Sequence, residues 1–391
     1  MRFPGFDDEW EVKKFGEIAK FSKGKGISKI DIDENGETEC IRYGELYTHY
    51  GEVITDIKSK TNIDKSSLVF SEGNDVIIPA SGETQIDIAT ASCVLNSGVA
   101  LGGDLNIIKT KNNGVFLSYY LNSKKKLEIA KLSQGISVVH LYSSQLALLN
   151  LKLPQLEEQE KLAHFLSLLN SRIHTQKKII EQLETLMNAS REKIFSQKLR
   201  FKNEQGNYFP DWKLHKLGNL GMFFSGGTPL TSNRKYYQGN IPFIKSGEIN
   251  SVKTEQFISE EALKNSSAKM VNVGDILYAL YGATSGEVGI SKLSGAINQA
   301  ILCIRTELNS LFLLNYLKLK KENILNTYLQ GGQGNLSSEI IKSLYIPVPD
   351  SYEQTKIANF LSSIQEKIVT EKQILEKLEL QKKFLLANLF V

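Results

Sequence analysis

Two sets of loop segments carry the residues best suited to chemistry. The first set contains FSKGKGISK with Lys23, Lys25 and Lys29, IRYGELYTHY with Arg42, Tyr43 and Tyr47, and PASGETQ with Ser81, Thr84 and Gln85. The second contains SGGTPLTSNRKYYQG with Thr228, Arg234, Lys235 and Tyr236, IKSGEI with Lys245, Ser246 and Glu248, and YGATSGE with Tyr281, Thr284 and Ser285. Lysine and arginine neutralise phosphates, while Arg, Lys, Gln, Asn and Thr can hydrogen-bond to base edges. Residue by residue, the same loops are also what solvation demands. Their chemistry is recognition and not bond-making, because the sequence offers no reaction centre. SGGTPL (225–230) and GGQGNL (331–336) lack the lysine and spacing of a phosphate cradle and read as turns. No HExxH, CxxC or GxSxG occurs, and His49, His140, His164, His174 and His215 have no ligand spacing. Cys40, Cys93 and Cys303 are too dispersed for a disulfide framework or a metal pair. No catalytic residue, metal ligand or cofactor of its own is expected.

The elements that must position these loops are written twice. From Pro154 and again from Pro349, shifted by 195 positions, runs a long helical stretch. Pro154, Glu158, Gln159, Lys161, Ala163, Phe165, Leu166 and Ser167 recur as Pro349, Glu353, Gln354, Lys356, Ala358, Phe360, Leu361 and Ser362. Ahead of each, FPGFDDEWEVKKFGEI is echoed by FPDWKLHKLGNL, with Trp10, Lys14 and Gly16 against Trp212, Lys216 and Gly218 at a shift of 202. Between these anchors the copies diverge. A repeat of this length is a domain duplication and predicts a pseudo-two-fold molecule. The boundaries expected are 1–153 and 199–348 for two globes, with helices over 154–198 and 349–391.

Each helix carries a heptad seam. Leu166, Ile173 and Ile180 lie in the first, and Leu361, Ile368 and Leu375 in the second, with polar Gln176 and Glu371 at equivalent positions. A 3.5-residue apolar period lets helices supercoil, and polar seam residues fix register. The two helices are therefore expected to pair antiparallel. At 1.5 Å per residue, about 40 residues make a helix roughly 60 Å long. Ser351 with Gln354 has capping-box spacing, and Glu157 and Glu158 place negative charge in the other helix's first turn. PDSYEQTK is a poor nuclease motif, since two residues and not one separate Glu353 from Lys356. Within the globes, residues 75–80, 105–110, 274–282 and 300–306 read as strands, and 115–132 and 310–329 as amphipathic helices. The fold class is α+β, two α/β globes alternating with two long helices.

Composition sets limits on function. A chain of 391 residues with 41% hydrophobic and 23% charged residues is globular and multidomain. A net charge of +4 permits nucleic-acid binding without announcing it. No run approaches the roughly 20 apolar residues of a membrane span, and the first twenty residues lack an apolar signal core, so a cytoplasmic, non-membrane protein is expected. Two readings stay open on the residues alone: a duplex-reading protein, or a coiled-coil scaffold joining two globes that bind peptides or glycans.

The order globe, heptad helix, globe, heptad helix resembles the specificity subunit of type I restriction-modification systems. The matching segments are FPGFDDEWEVKKFGEI, YFPDWKLHKLGNL, SGGTPLTSNRKYYQGNIPFIKSGEIN, ISEEALKNSSAKM, YGATSGEVGI and NQAI, with P-x-L-x-E-Q and its partner P-x-x-x-E-Q. The first globe departs from the pattern, keeping its leading segment and an IRYGEL similar to FIKSGEI. The resemblance implies two target recognition domains, each reading half of a bipartite double-stranded DNA sequence. The helices would set the spacer and dock two methyltransferase (M) subunits. AdoMet, ATP and Mg would reside on partner subunits, with restriction (R) subunits adding cleavage and adenine N6 the methylated atom. DNA contacts are then expected from Lys23, Lys25, Arg42, Tyr43, Ser81, Gln85, Thr228, Arg234, Lys235, Tyr236, Lys245, Ser246, Tyr281, Thr284 and Ser285.

Overall fold

A computed structural model describes residues 2–135, 138–328 and 335–390. The chain forms two compact units, Met1–Lys177 with Gln373–Val391, and Lys178–Lys372. Each is α+β. Both draw on the two long helices, Leu156–Phe195 and Ser351–Asn388. Each sequence repeat thus ends in a helix whose last turns belong to the other repeat's unit.

In the first unit a five-stranded sheet runs in the order Ala19–Lys23, Leu105–Thr110, Asp75–Pro79, Ser92–Val94, Val53–Ile54, antiparallel except for its last pair. A three-stranded sheet joins Ser59–Thr61, Thr38–Ile41 and Ala100–Leu101. A helical stretch packs on the large sheet as Gly114–Tyr120, a π-helical turn Leu121–Lys125, and Lys126–Leu132. The second unit has an antiparallel sheet ordered Gly221–Ser225, Ile301–Thr306, Ile276–Ala279, Val288–Ile290. A second sheet is ordered Phe257–Ile258, Ile241–Ile244, Gly295–Ile297, Lys269–Val271. The helix Ser310–Tyr328 packs beside them. Strand-forming runs such as VIIP and ILCI are rich in β-branched residues and wholly buried.

The duplication is visible in register. Glu11 pairs with Leu153 across one two-stranded sheet, and Lys213 pairs with Val348 across the other. The strand opening each repeat is thereby tied to the strand that leads into its long helix. Glu-Gln at the start of each long helix explains the geometry. Glu158 is buried and accepts from the Trp10 indole N–H (3.3 Å) and from Arg2. Glu353 is buried and accepts from Trp212 (2.8 Å) and Arg200. Gln159 accepts from the Asn113 N–H and donates to the Pro154 carbonyl; Gln354 does the same with Asn309 and Pro349. This corrects the capping-box expectation. Gln354 does not reach back to Ser351, and the free N–H of Tyr352 is instead met by Asp350. Glu157 and Glu158 do lie in the first turn of their helix, Glu157 exposed, while Glu158 and Glu353 are in addition buried acceptors.

A four-ring cluster is also duplicated. Phe116 and Tyr120 stack beside Trp10, and Phe390 closes the group at 5.7 Å from each of the two rings. In the second unit Phe312, Tyr316 and Trp212 surround Phe195 at 5.5, 5.3 and 6.3 Å. Phe195 ends one long helix and Phe390 lies two residues past the end of the other, so each cluster is completed by the opposite repeat.

Along the seam, Leu166, Ile173, Ile180, Leu361 and Ile368 are buried, while Leu375 is only half-buried. Within the first unit Asn170 meets Lys382 and Lys177 meets Glu379; within the second, Glu184 meets Lys372. In the first unit, rising numbers on one helix face falling numbers on the other, which makes the pairing antiparallel. Lys382 occupies a seam position. Its ammonium is bonded to Glu52 and Asn170 and lies 5.7 Å from the Tyr119 ring centroid, so it also fixes the helix to its globe.

Candidate nucleic-acid interface

The turn at residues 41–46 of the first unit and the turn at 244–249 of the second share one construction. The Glu45 carboxylate accepts the Arg42 N–H at 2.9 Å, and Glu248 accepts the Lys245 N–H at 2.9 Å. Ser59 and Thr254 hydroxyls support the two carboxylates. Arg42 and Lys245 therefore project from equivalent places. Arg42 folds back onto Glu45 at 3.2 Å and is half-buried, whereas Lys245 is exposed. Tyr43 packs at the edge of the core shared by the three- and five-stranded sheets, and Ser246 begins the short turn over Glu248.

On the first unit Lys23 and Lys25 are exposed, and the Lys23 ammonium lies 5.8 Å from the Tyr142 ring centroid. Gln85 is exposed at the start of a short helix capped by Thr84. Ser81 differs from the expectation of a surface contact. It is buried, with its hydroxyl 3.3 Å from Asp104 and 3.1 Å from His140 Nδ1. This is no proton relay, because Asp104 contacts the serine and not the imidazole. The group ties the Ser81–Gly82 strand to Val139–His140.

On the second unit, Thr228, Arg234, Lys235 and Lys245 are exposed, and Tyr236 is half-buried in the small-sheet core with its hydroxyl accepting from Asn265. Ser285 bonds the Leu280 carbonyl and shapes the 281–287 loop, whose Gly282 has φ +84°. Glu287 in that loop is held by Lys321 at 2.6 Å. Tyr281 and Thr284 are half-exposed on it. Segments far apart in sequence meet here, since Thr228 donates to Gln299 at 2.7 Å and Tyr281 lies close enough for Gln299 to act on its phenol. Burial pushes the Tyr281 phenol above its ordinary range, and Gln299 draws it back. Gln299 was absent from the site residues expected from sequence. The NQAI segment holding it was visible, but not its proximity to Thr228.

Burial raises the thiols of Cys40 to about 11 and of Cys93 and Cys303 to about 12, leaving all three as packed, protonated side chains. Among the described residues, no cluster of His, Cys, Asp or Glu could hold a metal ion, and no helix is long and apolar enough to cross a membrane. Of GGQGNL, residues 331–334 lie outside the described residues.

Residues 7–185 and 210–380 match the family model described as the type I restriction modification DNA specificity domain. Two curated relatives come from Methanocaldococcus jannaschii. One, named for the MjaX type I restriction enzyme specificity subunit, is 27% identical over 96% of this chain and 91% of its own length. The other, the type I restriction enzyme MjaVIII specificity subunit, is 24% identical with the same coverage. A crystal structure of the type I restriction-modification S subunit from M. genitalium matches all of this chain and 99% of its own, with TM-score 0.68 at 17% identity. The duplicated match, spanning both repeats, places this chain in the type I restriction-modification DNA specificity family.

Proposed function

We propose that this chain gives a type I restriction-modification complex its address, each unit reading one half of a bipartite, asymmetric duplex sequence. The observation that carries this reading is a contrast within the chain. The scaffold contacts at Trp10 and Trp212, Gln159 and Gln354, and Glu45 and Glu248 are duplicated, while the loops mounted on them are not. Two readers of different sequences need that combination. Lys23, Lys25, Arg42, Gln85, Thr228, Arg234, Lys235 and Lys245 supply phosphate and base contacts from exposed or half-exposed positions. Tyr43, Tyr236, Ser246, Tyr281, Thr284 and Ser285 shape the loops or line them.

The long helices keep apolar side chains exposed, among them Leu168, Leu186, Leu380 and Phe384. Two methyltransferase subunits dock on such a surface and bring AdoMet; restriction subunits bring ATP- and Mg-dependent cleavage. Methylation at adenine N6 requires the base to leave the stack, so this chain must hold the duplex while it is distorted. The chain itself is non-catalytic and acts in the cytoplasm, where its DNA lies.

The test is the methylome of a methylation-free host expressing this chain with its cognate methyltransferase subunit. A split motif with N6-methyladenine in both halves, absent without this chain, is the expected result. A blank methylome despite confirmed association of the two would overturn the reading and favour a non-DNA scaffold. Removing four residues from one long helix should change spacer length or assembly; an unchanged motif at full activity would refute the helices as a ruler.

A further inference from the structure

Gln299 sits at the tip of a turn fixed from both sides. Gly226 donates to the Asn298 carbonyl at 3.2 Å, and a side chain there would come within 1.8 Å of the Ile297 carbonyl oxygen, so only glycine lets the SGGTP loop approach. Ala300 is bonded to Asn298 Oδ1, and the Ala300 carbonyl accepts from Leu280. Ile297 and Ala300 are buried while Gln299 between them is exposed. A long exposed amide would ordinarily sample many rotamers. This one is held by Thr228, which donates to Oε1 at 2.7 Å.

In that arrangement the hydroxyl holds the oxygen end of the amide. A glutamine amide has two acceptor sites and two N–H donors. With Thr228 on one acceptor site, the second acceptor site and the N–H donors remain, which is enough for one acceptor–donor pair to a ligand. Adenine presents N7 as acceptor and N6–H as donor in the major groove, whereas guanine presents two acceptors and cytosine one donor. We propose that Gln299, oriented by Thr228, specifies one adenine·thymine pair in the half-site read by the second unit. The inference rests on the DNA-reading function above and names the base class that one of its surfaces selects. Thr228 acts as a positioning residue. Pre-ordering the amide means that binding does not have to order it again.

Gln299→Ala, Gln299→Glu and Thr228→Val, each expressed with the methyltransferase subunit, are read out by methylome sequencing beside the unaltered chain. The expected result is confined to one position of one half-site. Q299A loses about tenfold to hundredfold discrimination for adenine there, the usual value of a bidentate base contact. Q299E turns the preference towards cytosine, whose N4 donor suits a carboxylate. T228V loosens the same position by less. Motifs identical to the parent in all three, or equal weakening of both half-sites, overturn the proposal. If Q299A gives no methylation, T228V decides, and an unloosened motif then counts against it. A parent chain with no split motif would instead sink the underlying function.

Discussion

The two units share a strand end and then part company one residue later. In the first, the Ala80 carbonyl accepts from the Leu141 N–H at 2.9 Å; in the second, the Leu280 carbonyl accepts from Leu336 at 3.0 Å. The next residue is Ser81 in one and Tyr281 in the other. Ser81 is buried within a strand pairing, whereas Tyr281 is half-exposed on a loop. Backbone bonds that terminate the sheet are kept because an orphaned buried carbonyl would cost as much in either unit. The side chain just beyond is under no such constraint. Recognition surfaces can therefore change without disturbing the core that mounts them.

The largest effects should come from the shared core, and they test whether the units are built as crossed repeats. Phe390→Ala and Phe195→Ala each remove a ring from a four-ring cluster, and buried Phe→Ala changes cost about 3–5 kcal/mol. Phe195 is slightly more exposed and should lie at the lower end. Hydrogen exchange should show F390A loosening residues around Trp10 and Phe116, and F195A loosening those around Trp212 and Phe312. Loss of protection on the opposite assignment would break the crossed description.

Next are the buried glutamates. Glu353→Ala strands the Trp212 indole and the Arg200 guanidinium, and removing one partner of a buried ion pair typically costs about 3–5 kcal/mol. Arg2 is the more exposed of the two arginines, at 27% against 15%, so Glu158→Ala should cost less. Denaturant unfolding of both variants measures the difference, and a larger loss for E158A would contradict it.

The long helices and several strands were legible because their signals are periodic and local. Seam positions such as Leu166, Ile173 and Ile180 repeat at 3.5 residues, and the strands at 75–79 and 105–110 are centred on the β-branched Val76-Ile77-Ile78 and Ile107-Ile108. Glu353 and Gln354 were legible as a repeated pair but not in role. Capping and long-range ligation leave the same local pattern, and the partners Trp212 and Asn309 lie far away in sequence. Ser81 and Gln299 show the same limit from the other side. One polar loop residue is buried and the other exposed because of which strand or glycine lies across it, and only tertiary geometry decides that.

Equivalent carboxylates sharpen the comparison through pH. Burial raises Asp75 above its ordinary range, and the Glu72 N–H and Lys109 do not offset it. Burial acts on Asp275 too, but hydrogen bonds from Arg305 and the Asn272 N–H outweigh it and lower the carboxyl. Asp275 thus contributes stability that is full above the unfolded carboxylate range of about pH 4 and is lost as pH falls through the lower folded value. Asp75, with a raised folded pKa, carries a penalty at neutral pH that acidification relieves. Asp275→Asn should cost about 1.5–3 kcal/mol at pH 7, as charged hydrogen bonds do, with the cost shrinking below about pH 4. Asp75→Asn should be near neutral at pH 7 and compare less favourably with the parent towards acid. Parallel pH profiles for the two variants would refute the contrast.

The smallest effects belong to the surface cations at the equivalent turns. Lys245 is exposed, so Lys245→Ala should leave the unfolding midpoint unchanged. If it meets a phosphate, the slope of log affinity against log salt should shallow by about 0.9, with the sequence preference of both half-sites retained. Arg42 occupies the matching position but is paired with nearly buried Glu45. Arg42→Ala should therefore change stability as well as salt dependence, by about 1 kcal/mol. Salt titrations of the assembled complex, read beside unfolding curves, separate the two. A changed base preference for K245A would make that lysine a reader and not an anchor, and an unchanged midpoint for R42A would mean that its ion pair holds nothing.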